Sequence, residues 1–153
     1  MARMSIRNID SPIGRLGIRV ENGALVEIVF GGFDADSGED ALLDCVQMQL
    51  EEYFAGKRRE FDVPLAPKGT DFQKKVWNAL LQIPYGCTDS YSGIAEKIGS
   101  PKAARAVGMA NHVNPIPVIV PCHRVVGKGG KLVGYAGGLD MKTTLLDIEK
   151  QNK

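Results

Sequence analysis

The chain has 153 residues, 44% hydrophobic and 24% charged, with a formal net charge of +1. That composition belongs to a soluble globular protein able to bury a core, and it excludes a disordered chain. No apolar run approaches the roughly 18 residues needed to span a bilayer, and the opening Met1-Ala2-Arg3-Met4-Ser5 lacks the apolar core of a signal peptide. A cytoplasmic protein with no membrane partner is expected. The three cysteines, Cys45, Cys87 and Cys122, are odd in number and contain no Cys-x-x-Cys pair, so neither a disulfide framework nor a zinc knuckle is suggested. The charge is unevenly divided. Residues 1–67 hold seven basic against twelve acidic side chains, a net −5, whereas residues 68–153 hold twelve against six, a net +6. Basic charge gathered in the later segment favours a polyanionic partner such as nucleic acid.

The first thirty residues read as β structure. Leu16, Ile18 and Val20 alternate, Asn22-Gly23 signals a tight turn, and Val26, Ile28 and Phe30 follow, predicting a hairpin. After a glycine-bearing loop, Leu42, Leu43, Val46, Leu50, Tyr53 and Phe54 fall at helical spacing and stop at Gly56. Pro64 to Gly69 reads as a linker, because its prolines and glycine oppose helix and ladder alike, and places a boundary near residue 67.

Beyond it Thr70-Asp71-Phe72-Gln73 has the form of a capping box, with Phe72, Val76, Ala79, Leu80 and Ile83 continuing one helical face until Pro84-Tyr85-Gly86. Tyr91 to Ile98 is a short helix closed by Gly99. Ser100 as N-cap and Pro101 as first helical residue predict a second helix over Lys102 to Ala110. Helix, glycine turn, helix is the helix-turn-helix pattern. The small residues Ala103, Ala104, Ala106 and Gly108 would let the second helix approach a partner closely, although from the pattern alone close packing inside the protein is the simpler explanation.

Asn114-Pro115-Ile116-Pro117-Val118-Ile119-Val120 is an apolar approach to the polar tetrad Pro121-Cys122-His123-Arg124. A lone cysteine after an apolar run is ordinarily a small core residue. With a histidine to take its proton and an arginine beside it, Cys122 is expected to have a depressed thiol pKa and to serve as a nucleophile. On an extended segment His123 would point away from Cys122 and reach it only through a water or a local bend. Glu149, in the last helix, is a candidate to orient the histidine.

Pro121-Cys122-His123-Arg124-Val125, with Arg105-Ala106-Val107-Gly108 and Asn114-Pro115 upstream and Gly134-Tyr135-Ala136-Gly137-Gly138, Lys142 to Leu146 and Glu149 downstream, resembles the O6-alkylguanine-DNA alkyltransferases. The likeness covers essentially residues 70–150; the earlier module is similar only in size and in its β-then-helix pattern. The resemblance implies an α/β (α+β) fold, with a small hairpin-and-helix module over residues 1–67 and a mainly helical, winged-helix-like domain over residues 68–153. The implied function is DNA repair, in which Cys122 takes the alkyl group from O6-alkylguanine, and from O4-alkylthymine, in a single irreversible transfer.

By the same resemblance, His123 would activate Cys122 through a water, polarised by Glu149, and Asn114 would brace the turn. Tyr91 would donate its hydroxyl hydrogen to the guanine ring so that the base leaves neutral. The carbonyls of Cys122 and Val125 would accept from the guanine amino group, and the backbone N–H of Ala136 would donate to O6. Tyr135, Gly137 and Gly138 would form the pocket wall, and Lys142 would join the substrate-binding set. Arg105 would replace the flipped base from the minor groove, with Ala103, Ala104, Ala106, Gly108, Tyr91 and Ser92 against the DNA. No cofactor and no metal is implied: residues 1–67 contain no histidine and only Cys45 among cysteines. The implied state is a monomer on double-stranded DNA. Two other readings of the same residues are a Cys/His thiol hydrolase and a non-enzymatic helix-turn-helix regulator whose cysteine is a redox sensor or core residue. His112 has no assigned role beyond a helix end or the surface.

Overall fold

The computed structural model describes residues 3–135 and 137–153. Its contacts divide the chain into two compact units, residues 1–68 with Asn152 and residues 69–151 with Lys153.

In the first unit three antiparallel strands, β1 (Met4–Ile9), β2 (Leu16–Glu21) and β3 (Ala24–Phe30), are followed by helix α1 (Ala41–Phe54). The anticipated hairpin is β2–β3, turning at Asn22 (φ 51°) and Gly23 (φ 81°), the left-handed pair that a tight hairpin turn requires. It gains a third strand, because β1 pairs with β2 from Met4↔Glu21 to Ile9↔Leu16. Leu16, Ile18, Val20, Leu25 and Ile28 from the sheet and Leu43, Val46, Leu50 and Tyr53 from α1 form the buried core. Asp40 caps α1 by accepting from the Leu42 N–H at 2.9 Å. The segment read as a linker is tied down by backbone bonds: Leu65 bridges Leu25, whose N–H donates to the Pro64 carbonyl and whose carbonyl accepts from Ala66.

The second unit is mainly helical: α2 (Asp71–Leu80), α3 (Tyr91–Lys97), α4 (Ala104–His112) and α5 (Leu139–Gln151), with a two-residue parallel pair between β4 (Asp89–Ser90) and β5 (Val125–Val126). The capping box at Thr70 and Gln73 is formed in both directions. Val76, Trp77 and Leu80 are the buried face of α2, and the Trp77 indole N–H donates to the Ala110 carbonyl of α4 at 2.9 Å. The helix-turn-helix is α3 and α4, but α4 begins two residues later than expected. Ser100 does not cap it: the Ser100 carbonyl accepts from the Ala103 N–H in a tight turn, and Ala103 occupies the N-cap position without a side-chain bond. Pro101 and Lys102 therefore belong to the turn.

Candidate active site

Cys122 is delivered by the 114–121 loop, whose shape is held from within. The Asn114 side chain donates to the Val120 carbonyl at 2.9 Å and accepts from the Ile116 N–H at 3.0 Å, clamping both ends of the apolar stretch. Inside the clamp Val118 has φ 73° while fully buried. A β-branched residue in the left-handed region costs about 1–3 kcal/mol and persists only where its surroundings impose it. The chain leaves this loop in a 3₁₀ turn over Cys122–Arg124, not in the extended form anticipated from the sequence. That local bend brings Cys122, His123 and Arg124 into the buried interior together.

Glu149, from α5, is the centre of the charged network. Its Oε2 lies 2.5 Å from His123 Nε2 and accepts from Arg124 Nη2 at 3.2 Å, while its Oε1 accepts from Arg124 Nε at 2.8 Å and from the Gly86 N–H at 3.1 Å. Burial alone would raise this carboxyl; the hydrogen bonds from His123 and Arg124 and the positive charge of Arg124 outweigh it and bring the pKa down to about 2. For His123 burial wins over the attraction of Glu149, and its pKa lies below the ordinary value. The permanent charge of Arg124 balances the carboxylate, so His123 rests neutral with its Nε2–H directed to Glu149.

The thiol differs from expectation. Cys122 is 3% exposed, and burial pushes its pKa up to about 11. Hydrogen bonds from Asn114 and Tyr135 and the positive charge of Lys142 act in the lowering direction and are outweighed. Arg124, anticipated as the activating cation, is directed elsewhere: besides Glu149, it donates through Nη1 to the Ile83 carbonyl at 2.7 Å and lies over the Tyr85 ring. The resting thiol is therefore protonated.

Tyr91, at the start of α3, is half-buried and donates its hydroxyl to the Val133 carbonyl at 3.3 Å. Burial, and then the proximity of Cys122, raise its pKa and keep it a proton donor. Tyr135 is buried and its pKa is raised for the same two reasons. Lys142 is fully buried, with its ammonium donating to the carbonyls of Val125 at 2.6 Å, Val133 at 2.8 Å and Gly134 at 3.4 Å. It thus joins β5 to the segment before α5. Gly137 lies in the turn closed by the Gly138 N–H on the Tyr135 carbonyl. Ala136 lies outside the described residues.

The outer face of α4 carries Arg105, Ala106, Met109 and His112, with Val113 just beyond. Arg105, Gly108, Met109, His112 and Val113 line a hollow of about 430 Å³, and Met109 is 73% exposed. Among the described residues no carboxylate pairs with Arg105, which removes the surface ion pair as an account of it. A Cβ on Gly108 would meet the Tyr91 ring at 3.8 Å, an ordinary contact, so internal packing does not demand a glycine there. Ala104 is half-buried and Ser92 exposed. His112 ends α4 and is exposed. Among the described residues no group of three or more His, Cys, Asp or Glu side chains is placed to hold a metal ion.

Asn111 was not anticipated. With Val107 and Ala110 it makes up the buried face of α4, and its Nδ2 donates to the Cys122 carbonyl at 3.3 Å. A polar residue four positions after Val107 on an apolar helical face is the signal that could have revealed it.

Residues 71–151 match the family described as 6-O-methylguanine DNA methyltransferase, DNA binding domain, and residues 4–67 match its ribonuclease-like domain. The chain is 52% identical over 153 residues to the methylated-DNA–protein-cysteine methyltransferase of Mycobacterium bovis, covering 94% of this chain and 91% of that one. It is 65% identical over 101 residues to the protein of the same name from Methanosarcina acetivorans, a match spanning 66% of this chain and 65% of that protein's length. The crystal structure of Mycobacterium tuberculosis OGT in complex with DNA superposes with a TM-score of 0.87 at 48% identity, covering 96% of this chain and 93% of that one. With both units matched and a buried cysteine next in the chain to a histidine paired with a carboxylate, the chain belongs to the 6-O-methylguanine DNA methyltransferase family.

Proposed function

We propose that this protein repairs DNA by transferring the alkyl group of O6-alkylguanine, and of O4-alkylthymine, onto its own Cys122. The observation that carries the reading is the buried Cys122 in one 3₁₀ turn with His123, whose ring is fixed on Glu149. Neutral His123, with Nε2–H given to Glu149, has its lone pair on Nδ1 and takes the thiol proton through a water. The sulfur then attacks the alkyl carbon: an S–C bond forms and the C–O6 bond breaks. Tyr91 gives its hydroxyl proton to the departing base, and the proton held by His123 returns to the tyrosinate through solvent. In sum the thiol proton ends on a neutral guanine. The thioether has no easy hydrolytic exit, so each chain acts once and needs no cofactor.

The raised thiol pKa supports this order of events, because the thiolate is made only when a base is present to receive the proton. A Cys/His thiol hydrolase instead maintains a thiolate beside a protonated histidine, whereas burial here favours the neutral form of both groups.

Residues 68–153 form the DNA-binding and acceptor domain in this reading. Arg105, on the exposed face of α4, enters the minor groove and fills the space of the flipped nucleotide, with Ala103, Ala104, Ala106, Gly108, Tyr91 and Ser92 near the backbone. Val125, Tyr135 and Gly137 surround the base, and Lys142 holds the Val125 carbonyl in place. Asn114 sets the loop that presents the thiol. The working state is a cytoplasmic monomer on duplex DNA; no helix among the described residues is long and apolar enough to cross a membrane.

Intact mass measured after incubation with O6-methylguanine duplex tests the reading. One methyl group per chain, mapped to Cys122 and then no further change, is expected. Modification at Cys45 or Cys87, or product released beyond one equivalent, would overturn it. Cys122→Ser should abolish transfer, since a hydroxyl is a far poorer nucleophile, and leave DNA affinity in gel shift intact.

A further inference from the structure

Met109 is 73% exposed, the highest among the large apolar side chains of the described residues, and Val113, one turn further along α4, is 51% exposed. Arg105, Met109 and Val113 follow one another at intervals of four residues and so form a single ridge. With Gly108 and His112 they line one hollow. The buried face of the helix is made by Val107, Ala110 and Asn111, so the core accounts for neither Met109 nor Val113. A scattered apolar residue on a surface needs no explanation. Two in line behind an arginine that has no carboxylate partner among the described residues call for one.

The ridge belongs to the basic part of the chain, residues 68–153 with a net +6, which draws it toward phosphate. Contact with phosphates alone would favour lysine at these two places; an apolar ridge suits the interior of a groove. A helix laid along a groove advances about 5.4 Å per turn against about 3.4 Å per base step. Met109 then stands about one or two pairs from the point that Arg105 enters. At the floor of the minor groove every pair offers acceptors, and only G·C adds a donor, the guanine 2-amino group. The Met109 thioether is a weak acceptor at best, so a 2-amino group covered by it loses water and gains no adequate partner.

Resting on the alkyl-transfer reading above, we propose that Met109 is a specificity-determining residue: its side chain covers the minor-groove floor beside the lesion and makes repair faster between A·T pairs than between G·C pairs. The reacting base is the same in every context, so the preference belongs to duplex binding and not to the chemistry at Cys122.

The test uses dilute duplexes carrying O6-methylguanine between G·C pairs, or between I·C pairs, which lack the 2-amino group, with transfer to the full chain followed by intact mass. Inosine also loosens pairing and eases flipping for any protein, so Met109→Ala is run on the same two duplexes. The inosine-to-guanine rate ratio of the unaltered protein should exceed that of Met109→Ala by about fivefold, the scale of one donor left unpaired. Met109→Gln, similar in length but carrying a strong acceptor, should lower the ratio at least as far as alanine does. Replacing flanking A·T by 2,6-diaminopurine·T, which adds the amino group, should slow the unaltered protein about fivefold more than Met109→Ala. Equal ratios in all three proteins would overturn the proposal. So would a loss in Met109→Ala on free O6-benzylguanine as large as on duplex, since that substrate has no groove. Failure of the unaltered protein to take an alkyl group from any of these substrates would instead refute the alkyl-transfer reading.

Discussion

The two units bury polar groups on different terms. Among the described residues of the first unit the buried polar side chains are Ser5 and Gln49, both uncharged, and Gln49 is satisfied on both sides by the backbone of Asp62. Its ion pairs among the described residues, Arg7–Asp44, Arg19–Glu27, Arg58–Glu52 and Lys68–Glu21, each keep at least one partner exposed. The second unit buries Arg124, Lys142, Glu149, His123, Asn111 and Asn114. Desolvating a charge costs several kcal/mol, and even a good ion pair seldom recovers more than the loss. A fold selected for stability alone would have used apolar residues there, as the first unit does around Leu16, Leu43 and Leu50. In the proposed reading the second unit keeps this expensive interior so that a nucleophile, a base and a fixed carboxylate sit out of water together.

Breaking the network should therefore cost far more than breaking a surface pair. Glu149→Gln leaves the Arg124 guanidinium buried without a carboxylate and should destabilise the protein by about 3–5 kcal/mol in urea unfolding. It should also remove an acid-limb dependence. Because the Glu149 pKa is depressed to about 2, its contribution is full above about pH 4.5 and is lost as pH falls toward 2. A loss near 1 kcal/mol would place this interior on the same footing as the surface.

The alkaline limb sharpens the contrast. The thiol of Cys122 is raised from 9.0 to about 11, so between these values the unfolded chain releases the proton while the native chain keeps it. Stability should fall across that window by on the order of 2–3 kcal/mol. Cys122→Ala should lack this fall, and comparing the two chains separates the thiol from Tyr91 and Lys142. Identical alkaline limbs would show that the thiol titrates as it does in water.

Arg105→Ala tests the exterior of the same unit. It should leave the unfolding midpoint unchanged, yet slow reaction with duplex substrate about tenfold or more relative to free O6-benzylguanine, because only the duplex must be unstacked. Equal losses on the two substrates would make Arg105 a support of the pocket. Smallest of all, Asp44→Asn in the first unit, which opens the exposed pair with Arg7, should cost less than about 1 kcal/mol.

Much of this was legible in the sequence because local rules carried it. Thr70 and Gln73 formed their capping box, Asn22-Gly23 turned the hairpin, and Gly99 closed α3. Strand β1 was not resolved as a third strand, since Met4-Ser5-Ile6-Arg7-Asn8-Ile9 lacks clean alternation and Ser5 is one of its buried residues. Ser100-Pro101 carries the composition of a helix start, but the chain spends it on the turn between α3 and α4. At the site, Cys122, His123 and Glu149 could be named from their types and order. What could not be read was the competition among neighbours: whether Arg124 would face the thiol or Glu149 depends on a 3₁₀ turn and on α5, 25 residues away in sequence. Nor does residue spacing reveal that burial would outweigh every group lowering the thiol pKa. Asn111 escaped because a single asparagine in a helix has no pattern until the buried face of that helix is known.

The protonated, enclosed thiol also has a bearing on how long the protein remains usable. A nucleophile that can be spent only once must survive oxidants and small electrophiles in the meantime, and such reagents consume thiolates in proportion to how many are ionised and within reach. Cys122 offers them neither charge nor surface, while Cys87 is exposed and Cys45 partly so. The sulfur that matters is the last of the three to meet a chance encounter in solution, and the molecule's shelf life is set by the walls around it before its chemistry ever begins.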